Sequence, residues 1–203
     1  MTSPIRPAAF QNLQLNAGIF LTDFNYSSIA NAGALKTAIA PAVTAGTNIL
    51  GVTRGGGTFT VTKEIRTPEV DGTRYPFKGQ DFVDSVDAYL SGTLLEVNPA
   101  NFKRLLGTGD VNKETGSKIT TVTMHTAVDP ATDYIGKLCW VGDIANGTLV
   151  LIELDNAFNT SDFTFTFTDK GEGTMTFEFH ARQADVLDYD NAPFRVVFFE
   201  PAS

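Results

Sequence analysis

The alternation of apolar and polar positions is clearest over residues 162–182, "DFTFTFTDKGEGTMTFEFHAR". Phe163, Phe165 and Phe167 fall on one face of a first strand, and Met175, Phe177 and Phe179 on one face of a second. Asp169-Lys170-Gly171-Glu172-Gly173 supplies the turn between them. Burying each of these side chains is worth about 1.5–3 kcal/mol gross, and a lone hairpin cannot bury them. A second layer must cover that face.

The same period of two runs through "GTFTVTKEIR" (57–66). Phe59, Val61 and Ile65 share one side, with Lys63 the exception, and Thr58, Thr60, Thr62, Glu64 and Arg66 share the other. This predicts a strand half buried and half wet. Further strands are expected at 13–24, 81–97, 117–126, 135–144 and 147–158. "FRVVFF" (194–199) is apolar at five of six positions, the pattern of a strand buried on both faces.

The period changes at "NPANFKRLLG" (98–107). Asn98 suits an N-cap, Pro99 the first helical position and Gly107 the stop, while Phe102, Leu105 and Leu106 form an apolar stripe. A helix this short must lie on a sheet. Residues 25–49 show no firm period, only small residues, interior glycines and Pro41. They read as a long loop with a short helix over 31–40 that Pro41 ends. Gly55, Gly56 and Gly57 close the loop as punctuation before the next strand. A phosphate-binding loop needs a Lys and a Ser or Thr opening a helix, and Thr58-Phe59-Thr60 opens a strand instead. The expected fold is one mainly-β domain over residues 1–203. It is a sandwich or barrel of about nine strands, with a short flanking α-helix and a long loop at 25–56.

Composition narrows the function. Net charge is −8 and uneven: residues 129–203 hold 13 acids and 4 bases, residues 1–128 hold 10 acids and 11 bases. No basic patch suits tight nucleic-acid binding. The first fifty residues carry only Arg6, Asp23 and Lys36 as charges, so this third is expected to need a partner surface. The start lacks a signal-peptide pattern, and no apolar run reaches the roughly 20 residues of a membrane span, so no membrane binding by this chain is expected. Cys139, the one cysteine, sits in "KLCWVGD" and reads as a packed strand thiol.

Candidate chemistry is sparse. His125 and His180 have no neighbours at ligand spacing and read as surface imidazoles. Asp81, Asp84 and Asp87 recur every third residue, which scatters them over both faces of a strand. Asp185, Asp188 and Asp190 lack the calcium-loop pattern and read as solvated acids. No nucleophile elbow, zinc-protease or dinucleotide motif occurs. The chain is expected not to be an enzyme and to hold no cofactor or metal.

One resemblance rests on the order of several stretches. "SGTLLEV", a short helix ending "LLG", "DYIGKLCWVGDI", "LVLIELDNAFNTSDFTFTFTDKGEGTMTFEFHARQ" and "APFRVVFF" together resemble a major tail protein, or tail tube protein, of long-tailed bacteriophages, over about residues 50–200. The resemblance implies a structural virion protein, made in the host cytoplasm and incorporated into the phage tail. It implies rings of six that stack into a hollow tube, with tape measure, tail tip or baseplate, and tail terminator proteins as partners. DNA passes through such a tube transiently and without sequence preference during ejection. A long loop between early strands bridges subunits in the family, and 25–56 is the matching stretch. Ile29, Leu35, Lys36, Ile39, Val43 and Ile49 are its candidate assembly residues.

The resemblance also implies an acidic bore, since a basic one would hold phosphates. Candidate bore-facing residues are Ser85, Asp87, Ser91 and Thr93 of the 81–97 strand. The polar side of the hairpin offers Thr164, Thr166, Thr168, Thr174, Thr176 and Glu178. One of these two faces is expected to form wall and the other to lie outside or at a contact, with Asp87 or Glu178 pointing into the lumen. A carbohydrate-binding β-sandwich and another virion β protein, such as a head decoration or distal tail protein, are the rival readings. The single Trp inside an apolar strand pattern argues against the first.

Overall fold

A computed structural model describes residues 7–184 and 191–202. Asp185, Asp188 and Asp190 lie outside the described residues. After a 3-10 turn at Pro7–Asn12, the strands are β1 (Ile19–Thr22), β2 (Thr53–Arg66), β3 (Phe82–Leu94), β4 (Gly109–Lys113), β5 (Thr120–Met124), β6 (Ile135–Asp143), β7 (Leu149–Asn159), β8 (Phe165–Thr166), β9 (Thr174–His180) and β10 (Phe194–Phe199). The helices are α1 (Ala32–Ala45) and α2 (Pro99–Leu106). The class is mainly β and sandwich-like, as expected, with ten strands among the described residues.

Two antiparallel layers build the body. The first runs β1-β6-β7-β10 and the second β2-β3-β9-β8, and the far end of β7 crosses to β9 through Phe158↔His180 and Asn159↔Phe179. Strict alternation sorts the first layer's side chains. Phe20, Leu138 and Leu154 point at Leu90, Leu94, Phe177 and Phe179 of the second layer. Leu21, Cys139, Val141, Leu149 and Leu151 point the other way, where Leu35 and Ile39 of α1 cover them. Both faces of β6 and β7 are therefore occupied, which explains their nearly continuous apolar runs. β4 and β5 form a separate two-stranded sheet beside α2.

α2 forms as its sequence predicts. The Asn98 side chain accepts from Asn101 N at 2.8 Å, Pro99 opens the helix, Gly107 closes it at φ 74°, and Leu105 is buried. Phe102 lies 5.1 Å from Phe163 and 5.6 Å from Phe165, ring to ring.

Several expectations are corrected. The 25–56 stretch is not one long loop: it contains the 14-residue α1, capped by Asn31 accepting from Ala34 N at 2.9 Å and ended by Gly46 at φ 65°, and the start of β2. Pro41 lies inside this helix rather than ending it. The donor that it removes would have met the carbonyl of Thr37, and both residues sit on the exposed side. The buried contacts of Leu35 and Ile39 on the opposite side outweigh that loss.

The glycines lie within β2, not before it. Gly55 and Gly56 take φ 76° at a register shift between Thr53 and Gly57, a bulge that only glycine enters without strain. The first strand spans only Ile19–Thr22, with a lone bridge at Gln14↔Ile144. In the 162–182 hairpin only Phe165–Thr166 pairs with β9, and Phe167 is 80% exposed because no layer reaches past the pair. β10 is an edge strand, not one buried on both faces: Phe198 is 61% exposed and only Phe199 is buried. No helix among the described residues is long and apolar enough to cross a membrane.

Candidate functional site: a polar sheet face and a hairpin arm

The second layer turns one face to the core and one to solvent. On the solvent face β2 places Thr58, Thr60, Thr62 and Glu64 opposite Ser91, Tyr89, Asp87 and Ser85 of β3. β3 in turn places Tyr89, Ser91 and Thr93 opposite His180, Glu178 and Thr176 of β9. Thr174 pairs with Thr166 of β8 and extends the same face. The two sets of candidate bore residues were expected on alternative faces. They share one: Ser85, Asp87, Ser91 and Thr93 lie beside Thr166, Thr174, Thr176 and Glu178. Thr164 and Thr168 flank β8 outside any strand. Hydroxyls dominate the strand positions of this face, its carboxylates are Glu64, Asp87 and Glu178, and the cations beside it, Arg66 and Arg182, pair with Asp84 and Asp87.

His180 is no isolated imidazole. Its Nδ1 lies 2.8 Å from Asp87 Oδ2, its Nε2 lies 2.9 Å from Glu178 Oε1, and its ring stacks on Tyr89 at 4.8 Å. The Arg182 guanidinium stands 3.7 Å from the other oxygen of Asp87. The carboxylates meet opposite nitrogens of the ring, so in this arrangement the three side chains do not converge on one ion. Sequence reasoning missed the cluster because Asp87 and His180 are 93 residues apart and meet only through the β3–β9 register.

β2 and β3 continue beyond the body as an arm. Residues 61–66 and 82–86 are exposed on both faces, a two-stranded ribbon of about 20 Å at roughly 3.3 Å per residue. The expectation of a half-buried strand therefore fails past Phe59, because the first layer ends before the second does. On the core-side face of the arm Ile65 is 51% exposed and Val83, its cross-strand partner, 58% exposed, with Val61 and Val86 alongside. The tip at 67–81 is organised from within. Gln80 is buried, accepts from Phe77 N at 3.1 Å and donates to the Pro68 carbonyl. Tyr75, 83% exposed, and Phe77 project from it.

The candidate assembly residues of 25–56 are mostly committed to their own chain. Leu35 and Ile39 are buried under the first layer, and Ile29 and Ile49 are half-buried in the same cluster. Lys36 pairs with Asp143 at 3.4 Å. Val43 alone of the apolar ones is exposed. The segment supplies a core element, because Leu35 and Ile39 of α1 reach down into the cluster on the first layer.

Opposite Cys139 in the β6–β7 register lies a buried carboxylate. Glu153 is fully buried and held by Lys137 Nζ at 3.1 Å and Arg195 Nε at 3.5 Å, with Cys139 Sγ 4.0 Å away. Burial, then the Glu153 charge, pushes the Cys139 thiol up to about 12 and raises Tyr26 above the ordinary phenol range. The thiol stays protonated and packs as an apolar group. Trp140 donates to the Ala17 carbonyl at 2.9 Å, with Gly18 and Gly142 against its ring. It is not displayed as a sugar platform.

No protein-family model matches the chain, and no curated protein matches it in sequence.

Proposed function

We propose that the chain is a structural subunit that polymerises with copies of itself into stacked rings, as the tail tube of a long-tailed bacteriophage, with no active site. What carries this reading is the arm. A two-stranded ribbon with Val61, Ile65, Val83 and Val86 open to water is marginal alone and gains its stability from a surface that covers it. A second copy is the occupant that a repeating assembly always provides, and an open heterologous contact propagates into rings and filaments. The arm at 61–87, rather than 25–56, is then the element that bridges subunits. The hydroxyl and carboxylate face of β2, β3 and β9 suits a conduit wall, because the cations beside it, Arg66 and Arg182, are already paired with Asp84 and Asp87 rather than free for phosphates.

Electron microscopy of the purified chain at rising concentration tests the proposal, with and without nucleating tail-tip and tape measure proteins. Hollow polymers with the polar face inward are the expected result. A monomer under every condition, or polymers with that face outward, would overturn it.

A further inference from the structure

The two layers leave a second apolar surface open besides the arm, and it identifies what the arm meets; this inference rests on the polymerising subunit proposed above. Phe59 of β2 lies against Phe194 of β10, ring centroids 5.8 Å apart, at the margin of the core between the layers. Past this contact each layer runs on without the other. On the second layer the uncovered positions are Val61, Ile65, Val83 and Val86 of the arm. On the first layer they lie along β10. Val196 is 43% exposed and Phe198 61%, although alternation puts both on the side of Phe194, which faces the second layer. Val150, opposite Phe198 on β7, is half-buried and extends this patch.

Each surface continues a face that packs on the other layer a few residues earlier. Within one chain the arm is exposed on both sides, so its own patch does not cover it. A second copy offers the arm the same kind of surface that Phe59 already packs on, and sheet-on-sheet packing then runs on from chain to chain.

The two surfaces also carry opposite charges. Lys63 stands opposite Val86 in the β2–β3 register, in the middle of the arm's apolar positions. Glu200 directly follows β10 and continues the alternation of Val196 and Phe198. Both are exposed, and neither side chain has a hydrogen-bond or ion-pair partner among the described residues. Their neighbours do: Arg66 pairs with Asp84, and Arg195 with Asp155. A lysine amid valines keeps an open ribbon from pairing at random, and it favours a surface that supplies a counter-charge.

We propose that the arm of one copy lies with Val61, Ile65, Val83 and Val86 on Val150, Val196 and Phe198 of the next, with Lys63 beside Glu200. Arm and patch are different surfaces of the chain. The contact is therefore heterologous, and every copy both gives an arm and receives one.

Sedimentation and electron microscopy of full-chain variants test this under the conditions in which the wild type polymerises. Phe198→Lys changes an exposed position and should melt close to wild type by circular dichroism, yet stay monomeric. The arm variant Ile65→Lys with Val83→Lys should stay monomeric too. Mixed one to one, the two variants should form a dimer and stop there, because the one intact arm and the one intact patch belong to different chains. Lys63→Glu and Glu200→Lys should each raise the polymerisation threshold about tenfold, and the chain carrying both should return near the wild-type threshold. This charge reversal keeps the test whole if Phe198→Lys fails to fold. A wild type that stays monomeric throughout would overturn the polymerising subunit and this contact with it. Wild-type polymers beside normal polymers of Phe198→Lys would overturn the contact alone. So would a mixture without dimers, which puts another surface under the arm, or a charge reversal that its counterpart does not rescue.

Discussion

Phe20 of β1 stands edge-on to Phe177 of β9, ring centroids 5.3 Å apart at 83°, and its tip fills the space where Gly57 would carry a side chain. One contact thus joins the two layers and fixes the identity of a residue on a third strand. A Cβ at position 57 would lie 2.7 Å from Phe20 Cζ and 2.9 Å from the Ser91 carbonyl, and neither can retreat without opening the core.

Gly57→Ala is therefore expected to destabilise the chain by about 1–3 kcal/mol, the usual cost of overpacking. Gly33→Ala is the contrast. It lies in α1, where a Cβ would meet nothing closer than Asn31 Oδ1 at 3.4 Å, and should stabilise by about 0.5 kcal/mol through helix propensity. Urea unfolding of both variants reads the opposite signs. Equal effects would remove the packing explanation.

The layer under α1 should be alkali-sensitive. The Cys139 thiol has a reference value of 9.0 and is held at about 12 in the fold. Between those values the folded chain binds the extra proton, so this contribution is whole below pH 9 and is lost as pH rises towards 12. Tyr26, raised mainly by burial, acts with the same sign above its reference value of 10.0. Cys139→Ala should cost roughly 1–2 kcal/mol at pH 8 and distinctly less at pH 11, where the wild type has lost part of its advantage. Cys139→Ser should also be modest at neutral pH. Denaturant titrations at the two pH values check this, and a constant gap would contradict it.

The Lys137–Glu153 pair is lopsided. Glu153 is buried whereas the Lys137 ammonium reaches solvent. Removing the lysine strands a buried charge on Arg195 alone, while removing the glutamate leaves cations that can turn to water. Lys137→Ala should therefore cost more than Glu153→Gln, by about 1–2 kcal/mol. The double variant should recover part of the lysine's loss, as a double-mutant cycle would record.

What the sequence revealed follows from how local each signal is. The alternation of Met175, Phe177 and Phe179 and the caps of α2 are short-range patterns, and all stand in the structure. The first part of α1 is legible as a short helix over 31–40, but Pro41 reads as its stop, and its packing on Leu21 and Val141 is a tertiary fact. Alternation in β2 shows two faces but cannot say that the covering layer ends near Phe59. That is why the exposure of Ile65 and Val83 was missed. The His180 cluster needed the β3–β9 register, which no local pattern encodes.

The arm and α1 make opposite predictions when shortened. Removing residues around 27–48, inside the stretch read from the sequence as a loop between subunits, takes away Leu35 and Ile39 and uncovers one face of the first layer. Losing each large buried side chain costs about 2–5 kcal/mol, against a total stability of about 5–15 kcal/mol, so this chain should not fold. Ile65→Lys with Val83→Lys changes two exposed, paired positions on the arm. Exposed substitutions usually shift stability by under about 0.5 kcal/mol each, and cross-strand like charges add a few tenths more. The double variant should thus melt close to wild type by circular dichroism, yet stay monomeric in sedimentation under conditions where the wild type polymerises. Normal polymers from the double-lysine chain would sink the arm as the joint between subunits, and a folded 27–48 deletion would sink the account of α1.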